Sequence, residues 1–174
     1  PMSINWLNDN ANAILETWYA GTMAGDAIAK VLFGDYNPSG KLPVTFPRTV
    51  GQVPIYYNHK NTGRPGDLKD HYTSKYLDLP LTPLYPFGYG LSYTTFEYND
   101  FKLSTNRITN EDSIIVSVKV KNTGKYDGEE VVQLYVQDLV GSVTRPVKEL
   151  KGFKKILLKS GEEKSVDFII HEKD

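Results

Sequence analysis

The sequence predicts a mixed fold: the end of an α/β sandwich domain, an extended segment rich in proline and tyrosine, and an incomplete antiparallel β-sandwich. An apolar run followed by an amphipathic helix pattern lies within residues 1–40, and eight of the ten prolines lie between Pro38 and Pro86. From residue 114 onward, apolar residues alternate with polar ones. We therefore predict domain boundaries of 1–43, 44–90 and 91–174.

The first segment has the pattern of a strand followed by a helix. The apolar run Ala13–Tyr19 fits a buried strand of a parallel sheet about as well as a helical turn, and we predict the strand. Thr22 is predicted to cap the following helix and Gly34 to end it. The apolar face of this helix comprises Ala24, Ala27, Ile28, Val31 and Leu32. Because one strand and one helix cannot bury each other, we expect a larger α/β domain truncated on its N-terminal side.

The second segment, residues 44–90, is predicted to be an extended strap between domains. Proline lacks a backbone donor and restricts the residue before it, so helix is excluded from most of this stretch. Tyrosines at 56, 57, 72, 76 and 85 can anchor it on a neighbouring surface. We expect Tyr56, Tyr57 and Tyr76 to be partly exposed in this chain alone, or buried against a second chain, because the domains that would cover them are absent.

The third segment alternates with a period of two and predicts about five strands. The inward residues are Ile114, Val116, Val118, Val120, Val132, Leu134, Val136, Val166, Phe168 and Ile170, with further strands at Phe101–Leu103 and Leu150–Leu158. A complete sandwich of this kind has about seven strands, so we expect truncation on the C-terminal side as well. An incomplete sandwich exposes a sheet edge through which a second copy could pair.

Composition excludes several classes of protein. The formal net charge of -1 gives no basic field for a nucleic acid or an anionic membrane. The chain has no cysteine, and no apolar run is long enough to span a bilayer. His59, His71 and His171 are widely spaced and lack a metal-binding pattern. Gly88-Tyr89-Gly90 lacks the third glycine of a dinucleotide fingerprint, so no metal or organic cofactor is predicted.

Three motifs carry a family resemblance. They are LFGDYNPSGKLP at residues 32–43, YPFGYGLSYT at 85–94 and TRPVKELKGF at 144–153. Together they resemble the C-terminal part of family 3 glycoside hydrolases of the β-glucosidase type, similar to periplasmic bacterial β-glucosidases. The resemblance implies a fibronectin type III-like sandwich and a periplasmic or secreted parent. It also implies a parent that hydrolyses terminal non-reducing β-D-glucosyl residues with retention, without an organic cofactor.

The resemblance places no catalytic residue in this chain. Retaining hydrolysis uses two carboxyl groups about 5 to 5.5 Å apart. In the family the nucleophilic aspartate lies in an N-terminal barrel and the acid/base glutamate in a loop of the α/β domain, and both precede the part that this chain resembles. The chain alone is therefore predicted to be inactive. Structural roles are expected for Glu16, Asp26 and Asp35, and solvated charge for Glu129 and Glu130.

Arg64 and Tyr72 are the candidate substrate-binding residues. They lie in a stretch rich in tyrosine, histidine, asparagine and arginine, where aromatic faces can stack on sugar rings and guanidinium groups can donate to hydroxyls. The same stretch also suits a strap that packs its tyrosines on a neighbouring domain. The alternative function is a stand-alone carbohydrate-binding or adhesion module with a β-sandwich fold.

Overall fold

The computed structural model describes residues 2–109 and 112–173 and is mostly β. Its helices are α1 (Asn5–Asn10) and α2 (Ala24–Phe33), with a 3-10 turn at Val50–Gln52. Its strands are β1 (Phe96–Leu103), β2 (Ser113–Asn122), β3 (Gly128–Val136), β4 (Glu149–Leu158) and β5 (Glu163–His171). The predicted number of strands is confirmed. None of the helices in this described part is long and apolar enough to cross a membrane.

The chain divides into two units that are not consecutive in sequence. The described residues of unit 1 fall within Pro1–Trp18, Lys41–Tyr89 and Val136–Glu149. Those of unit 2 fall within Tyr19–Gly40, Gly90–Tyr135 and Leu150–Asp174. Unit 1 therefore consists mainly of irregular chain, and unit 2 contains α2 and nearly all of the five strands.

The strands of unit 2 form two small sheets. The first has the order β1-β2-β5, and both of its pairings are antiparallel. β5 pairs with β2 along its whole length, from His171 opposite Ser113 to Glu163 opposite Lys121. The second sheet consists of β3 and β4. β1 carries a register shift between Asn99 and Lys102, which interrupts its ladder with β2.

The core of unit 2 takes side chains from both sheets, as the alternation predicts. The buried members are Val116, Val120, Val132, Leu158, Val166 and Phe168, and the partly buried ones around them include Phe96, Ile114, Leu134, Ile156 and Ile170. On β2 and β5 the buried residues fall at alternate positions, so each strand presents one apolar face to this core. Removing this apolar area from water is the main favourable contribution to folding of the unit.

Asn122, at the end of β2, is a polar residue inside this core with no exposed surface. Its amide nitrogen donates to the carbonyl oxygens of Tyr126 (2.8 Å) and Leu158 (3.1 Å). Its amide oxygen accepts from the Thr94 hydroxyl (2.7 Å) and the Gly124 N–H (3.1 Å). One side chain therefore satisfies the hydrogen-bonding groups of the turn after β2, the end of β4 and the entry to β1.

Helix α2 confirms the predicted end and corrects the predicted start. Gly34 ends the helix in the left-handed conformation (φ 83°), which costs glycine little because it has no Cβ. The residue before the first turn is Met23, without a side-chain cap, so the prediction that Thr22 caps the helix is wrong. The Tyr93 hydroxyl instead holds the other end of the helix by donating to the Val31 carbonyl (2.7 Å).

The predicted strand over Ala13–Tyr19 is wrong, because this run carries neither strand nor helix. Trp18 has a positive φ of 48°, which interrupts an extended backbone. A strand also needs a hydrogen-bonded neighbour, and the sheets of the described residues contain none next to this run. Helix α1 was not predicted from the sequence.

Unit 1 is organised by aromatic contacts and backbone bridges in place of regular elements. Phe46 is buried, forms an isolated antiparallel bridge with Tyr85 and contacts the rings of Trp18 and Tyr85. Tyr57 stacks on Phe87 with ring centroids 4.2 Å apart. The expected exclusion of helix between residues 44 and 90 holds, apart from the short 3-10 turn.

Candidate functional site

Arg64 and Tyr72 lie on one surface loop of unit 1, which we call the 64–75 loop (residues 64–75). The Ser74 N–H donates to the Arg64 carbonyl (3.2 Å), so the two ends of the loop meet. Gly66 lies at the base, where an added Cβ would stand 2.6 Å from the Ser74 carbonyl oxygen. This close approach requires glycine at that position.

Hydrogen bonds within the 64–75 loop hold its backbone. The Lys75 ammonium group donates to the carbonyl oxygens of Asp67 (3.4 Å), Leu68 (3.3 Å) and Asp70 (2.8 Å). The Thr73 hydroxyl accepts from the Asp67 N–H at 3.0 Å. The Asp67 and Asp70 carboxylates accept from backbone N–H groups two residues further on. The loop therefore supports its own conformation.

Aromatic and cationic side chains project from this loop and from the chain before it. Tyr72 is 78% exposed, and the His71 ring meets it edge-on at 5.6 Å. Arg64 is exposed, and within the described ranges its guanidinium group has no hydrogen bond or ion pair. Tyr56 and Tyr76 are exposed and Tyr57 is half-buried against Phe87, as expected for the three tyrosines in this chain alone. Such groups can contact a sugar by stacking and by donating to hydroxyls.

Two of the candidate carboxylates have local structural roles. Glu16 accepts from the Trp18 N–H (3.0 Å). Asp26 pairs with Lys30 at 2.7 Å, one turn along α2, and lies in the first turn of the helix, where a negative charge is favourable. Asp35 is exposed.

Glu129 and Glu130 correct the prediction of solvated charge. Glu129 accepts from the Tyr36 hydroxyl (2.6 Å) and from the Lys155 ammonium group (2.7 Å). Glu130 is only 8% exposed and accepts from the Tyr98 hydroxyl (2.8 Å). Glu130 has the same alternation as Val132, so the period of two along β3 predicts a position on the inner face of this strand. Burial, together with this hydrogen bond, raises the pKa of Tyr98.

The contacts of Glu129 make one pH-dependent prediction. The hydrogen bonds from Lys155 and then from Tyr36 lower the pKa of Glu129 below its ordinary value of 4.5. Its contribution to stability is therefore present above that value and is lost as the pH falls through the lowered pKa. Glu129→Gln is expected to reduce the free energy of unfolding at about pH 7 and to reduce it less at about pH 3.

Urea unfolding at both pH values measures this effect. Glu97→Gln, on the exposed side of β1, is the matched control and should change stability little at either pH. Equal losses in Glu129→Gln at both pH values would show that the ionised carboxylate is not what stabilises this contact.

The described residues contain no group of three or more histidine and carboxylate side chains that could hold a metal ion.

The Thr-Arg-Pro start of the third motif, residues 144–146, makes local contacts in unit 1. Pro146 forms an isolated bridge with Lys60, and the Arg145 guanidinium lies 3.8 Å from the Asp138 carboxylate.

Comparison with known proteins identifies the family. Residues 1–93, more than half of the chain, match the glycosyl hydrolase family 3 C-terminal domain. The chain belongs to glycosyl hydrolase family 3. Residues 130–174 match a fibronectin type III-like domain. The family resemblance carried by the three motifs is therefore confirmed.

Individual members of family 3 align with nearly the whole length of this chain. It is 56% identical over 172 residues to a periplasmic β-glucosidase of Salmonella typhimurium, covering 98% of this chain and 22% of that protein. It is 53% identical to a β-xylosidase of Formosa agariphila, over 97% of this chain and 22% of that protein. A crystal structure of a β-glucosidase from Listeria innocua in complex with isofagomine superposes with a TM-score of 0.91 at 46% identity, over 97% of this chain and 24% of that one. This chain spans about a fifth of the length of the curated relatives it matches.

Proposed function

We propose that this chain is the C-terminal, non-catalytic portion of a retaining β-glucosidase that releases terminal non-reducing β-D-glucosyl residues. The observation that carries the proposal is the identity of 56% to a periplasmic β-glucosidase over 98% of this chain but 22% of that protein. Glu16 and Asp26, which could otherwise be considered as catalytic carboxylates, are engaged in local contacts. The same relative supports a periplasmic or secreted location for the parent.

Within that parent, we propose that residues 1–43 end the α/β domain, residues 44–90 form an interdomain strap and residues 91–174 form the fibronectin type III-like sandwich. Exposed apolar side chains support this role. In unit 1 they include Trp6, Leu7, Ile14, Leu15 and Trp18, and in unit 2 they include Leu32 and Phe33 of α2. Apolar surface of this extent is expected to pack against the rest of the parent.

Hydrolysis of an aryl β-D-glucoside tests the catalytic part of the proposal. The chain alone is expected to give no rate above that of buffer. A chimera is expected to be active if this chain replaces the matching 172 residues of the Salmonella typhimurium enzyme. Glycosidase acceleration of about a millionfold or more makes the contrast easy to measure. Turnover by the chain alone would refute the proposal, and Glu16, Asp26 and Asp35 would then be the residues to mutate.

The β-xylosidase of Formosa agariphila supports a second candidate, hydrolysis of β-D-xylosides, because it is 53% identical to this chain. The full-length parent distinguishes the two candidates when it is given an aryl β-D-glucoside and an aryl β-D-xyloside in parallel. The chimera cannot do so, because its remaining residues come from a β-glucosidase.

We also propose Arg64 and Tyr72 as contacts to the sugar on the leaving-group side of the scissile bond. Arg64→Ala and Tyr72→Ala in the chimera are each expected to lower kcat/KM for cellobiose about tenfold, or about 1.4 kcal/mol, mainly through KM. The effect on an aryl β-glucoside should be smaller. Arg107→Ala and Tyr126→Ala, also exposed, are the matched controls. Unchanged kinetics in both variants would show that Arg64 and Tyr72 do not contact the sugar, and would leave the 64–75 loop with a packing role alone.

A further inference from the structure

Unit 2 has a flank where the end strands of its two sheets run beside each other, and we call it the β4/β5 flank. β5 ends the three-stranded sheet and β4 ends the two-stranded sheet. The outer side of an end strand carries backbone groups that no ladder satisfies, and such strands are the usual place for another chain to pair. Whether these backbone groups already have hydrogen-bond partners therefore decides whether this flank can accept a further strand.

Two lysines bridge the flank reciprocally. Lys154 of β4 donates to the carbonyl oxygen of Asp167 on β5 (2.5 Å), and Lys164 of β5 donates to the carbonyl oxygen of Leu157 on β4 (2.6 Å). Residues 154 and 157 are three apart along β4, and their partners 167 and 164 are three apart in the opposite direction along β5. The two bonds therefore follow one antiparallel register, with ammonium groups in place of a backbone ladder.

The packing around Lys154 is close. Its ammonium group lies 5.5 Å from the centre of the Phe168 ring. Gly152, two residues earlier on β4, lies close to the same ring, because an added Cβ would stand 3.1 Å from it, a tighter contact than side chains usually make. A charged donor gives a stronger hydrogen bond to a carbonyl than a neutral one does. The flank thus presents cationic groups where a pairing strand would need free acceptors.

We propose that Lys154 and Lys164 are edge-protecting caps that keep a second copy of this chain from adding a strand at the β4/β5 flank. A pairing strand would have to displace both ammonium groups from the carbonyls of Asp167 and Leu157 and would place its own backbone against two positive charges. The opposite end of the three-stranded sheet is obstructed differently, by the register shift in β1 and by Asp100 with its positive φ of 57°.

The test uses the full 174-residue chain with Lys154→Met and Lys164→Met together, which keep most of the length of each side chain and remove the charged donor. The chain has no cysteine, so Ser165→Cys on β5 can carry a single nitroxide label. Sedimentation velocity measures association, and spin–spin coupling between copies reports whether β5 lies at the contact. The double variant is expected to dimerise at a concentration at least tenfold lower than the unsubstituted chain, with coupling between the labels.

The controls separate the caps from the loss of charge. Lys121→Met with Lys125→Met removes the same charge from exposed residues of unit 2 and should associate like the unsubstituted chain. Lys154→Arg with Lys164→Arg retains donors and should do the same. The proposal is overturned if the methionine double variant associates no more strongly than the Lys121/Lys125 control, or if its stronger dimer shows no coupling at Ser165→Cys. Each single methionine variant is measured alongside, so that misfolding of the double variant still leaves a decisive comparison.

Discussion

Replacing Asn122 by alanine is expected to lower the free energy of unfolding by about 3–4 kcal/mol, measured by urea denaturation. The side chain has no exposed surface, and the change leaves the Tyr126 and Leu158 carbonyls, the Thr94 hydroxyl and the Gly124 N–H without their partner. Each buried group left unsatisfied costs about 1–3 kcal/mol, and partial access of water to the turn reduces the total.

Two further variants define what Asn122 does. Asn99→Ala removes an exposed asparagine of β1 and should change stability by less than about 0.5 kcal/mol. Asn122→Asp keeps the acceptor but turns a second oxygen toward two carbonyls. Its destabilisation should be larger near neutral pH than in acid, because a protonated carboxyl can still donate to one of them. A loss below about 1 kcal/mol in Asn122→Ala would contradict the role assigned to its hydrogen bonds.

Replacing Leu158 by alanine is expected to lower the free energy of unfolding by about 3 kcal/mol. Leu158 ends β4, has no exposed surface and packs in the core that both sheets of unit 2 share. The substitution removes buried methyl groups and leaves a cavity, because the surrounding strands can close it only in part. Urea denaturation of the two proteins under the same conditions measures the difference.

The adjacent residue is the control for this prediction. Leu157 belongs to the same strand but is 54% exposed, so Leu157→Ala should cost less than about 1 kcal/mol. Both substitutions remove the same atoms from neighbouring positions, and only burial distinguishes them. Equal losses in the two variants would mean that the alternation of β4 does not set which leucine supports the core.

The candidate site shows where sequence reasoning reached its limit. The composition of residues 56–76 was sufficient to select Arg64 and Tyr72 as candidate substrate-binding residues, because aromatic and guanidinium groups suit sugars wherever they lie. It was not sufficient to show that Lys75 and Thr73 hold the loop through the carbonyls of Asp67 and Asp70. Hydrogen bonds from a side chain to backbone carbonyls depend on the path that the backbone takes, and the residue type alone does not reveal that path.

The sequence by itself determined the five strands, most residues of their shared core, the end of α2 at Gly34 and, through three motifs, the family. These features depend on local periods and on backbone preferences that each residue carries with it. Tertiary structure alone decided that the Tyr98 hydroxyl donates to the Glu130 carboxylate, that residues 13–19 form no strand, and that Lys154 and Lys164 cap each other's strands. Each of these outcomes depends on a partner distant in sequence, because pairing and burial are properties of the neighbours that the folded chain brings together.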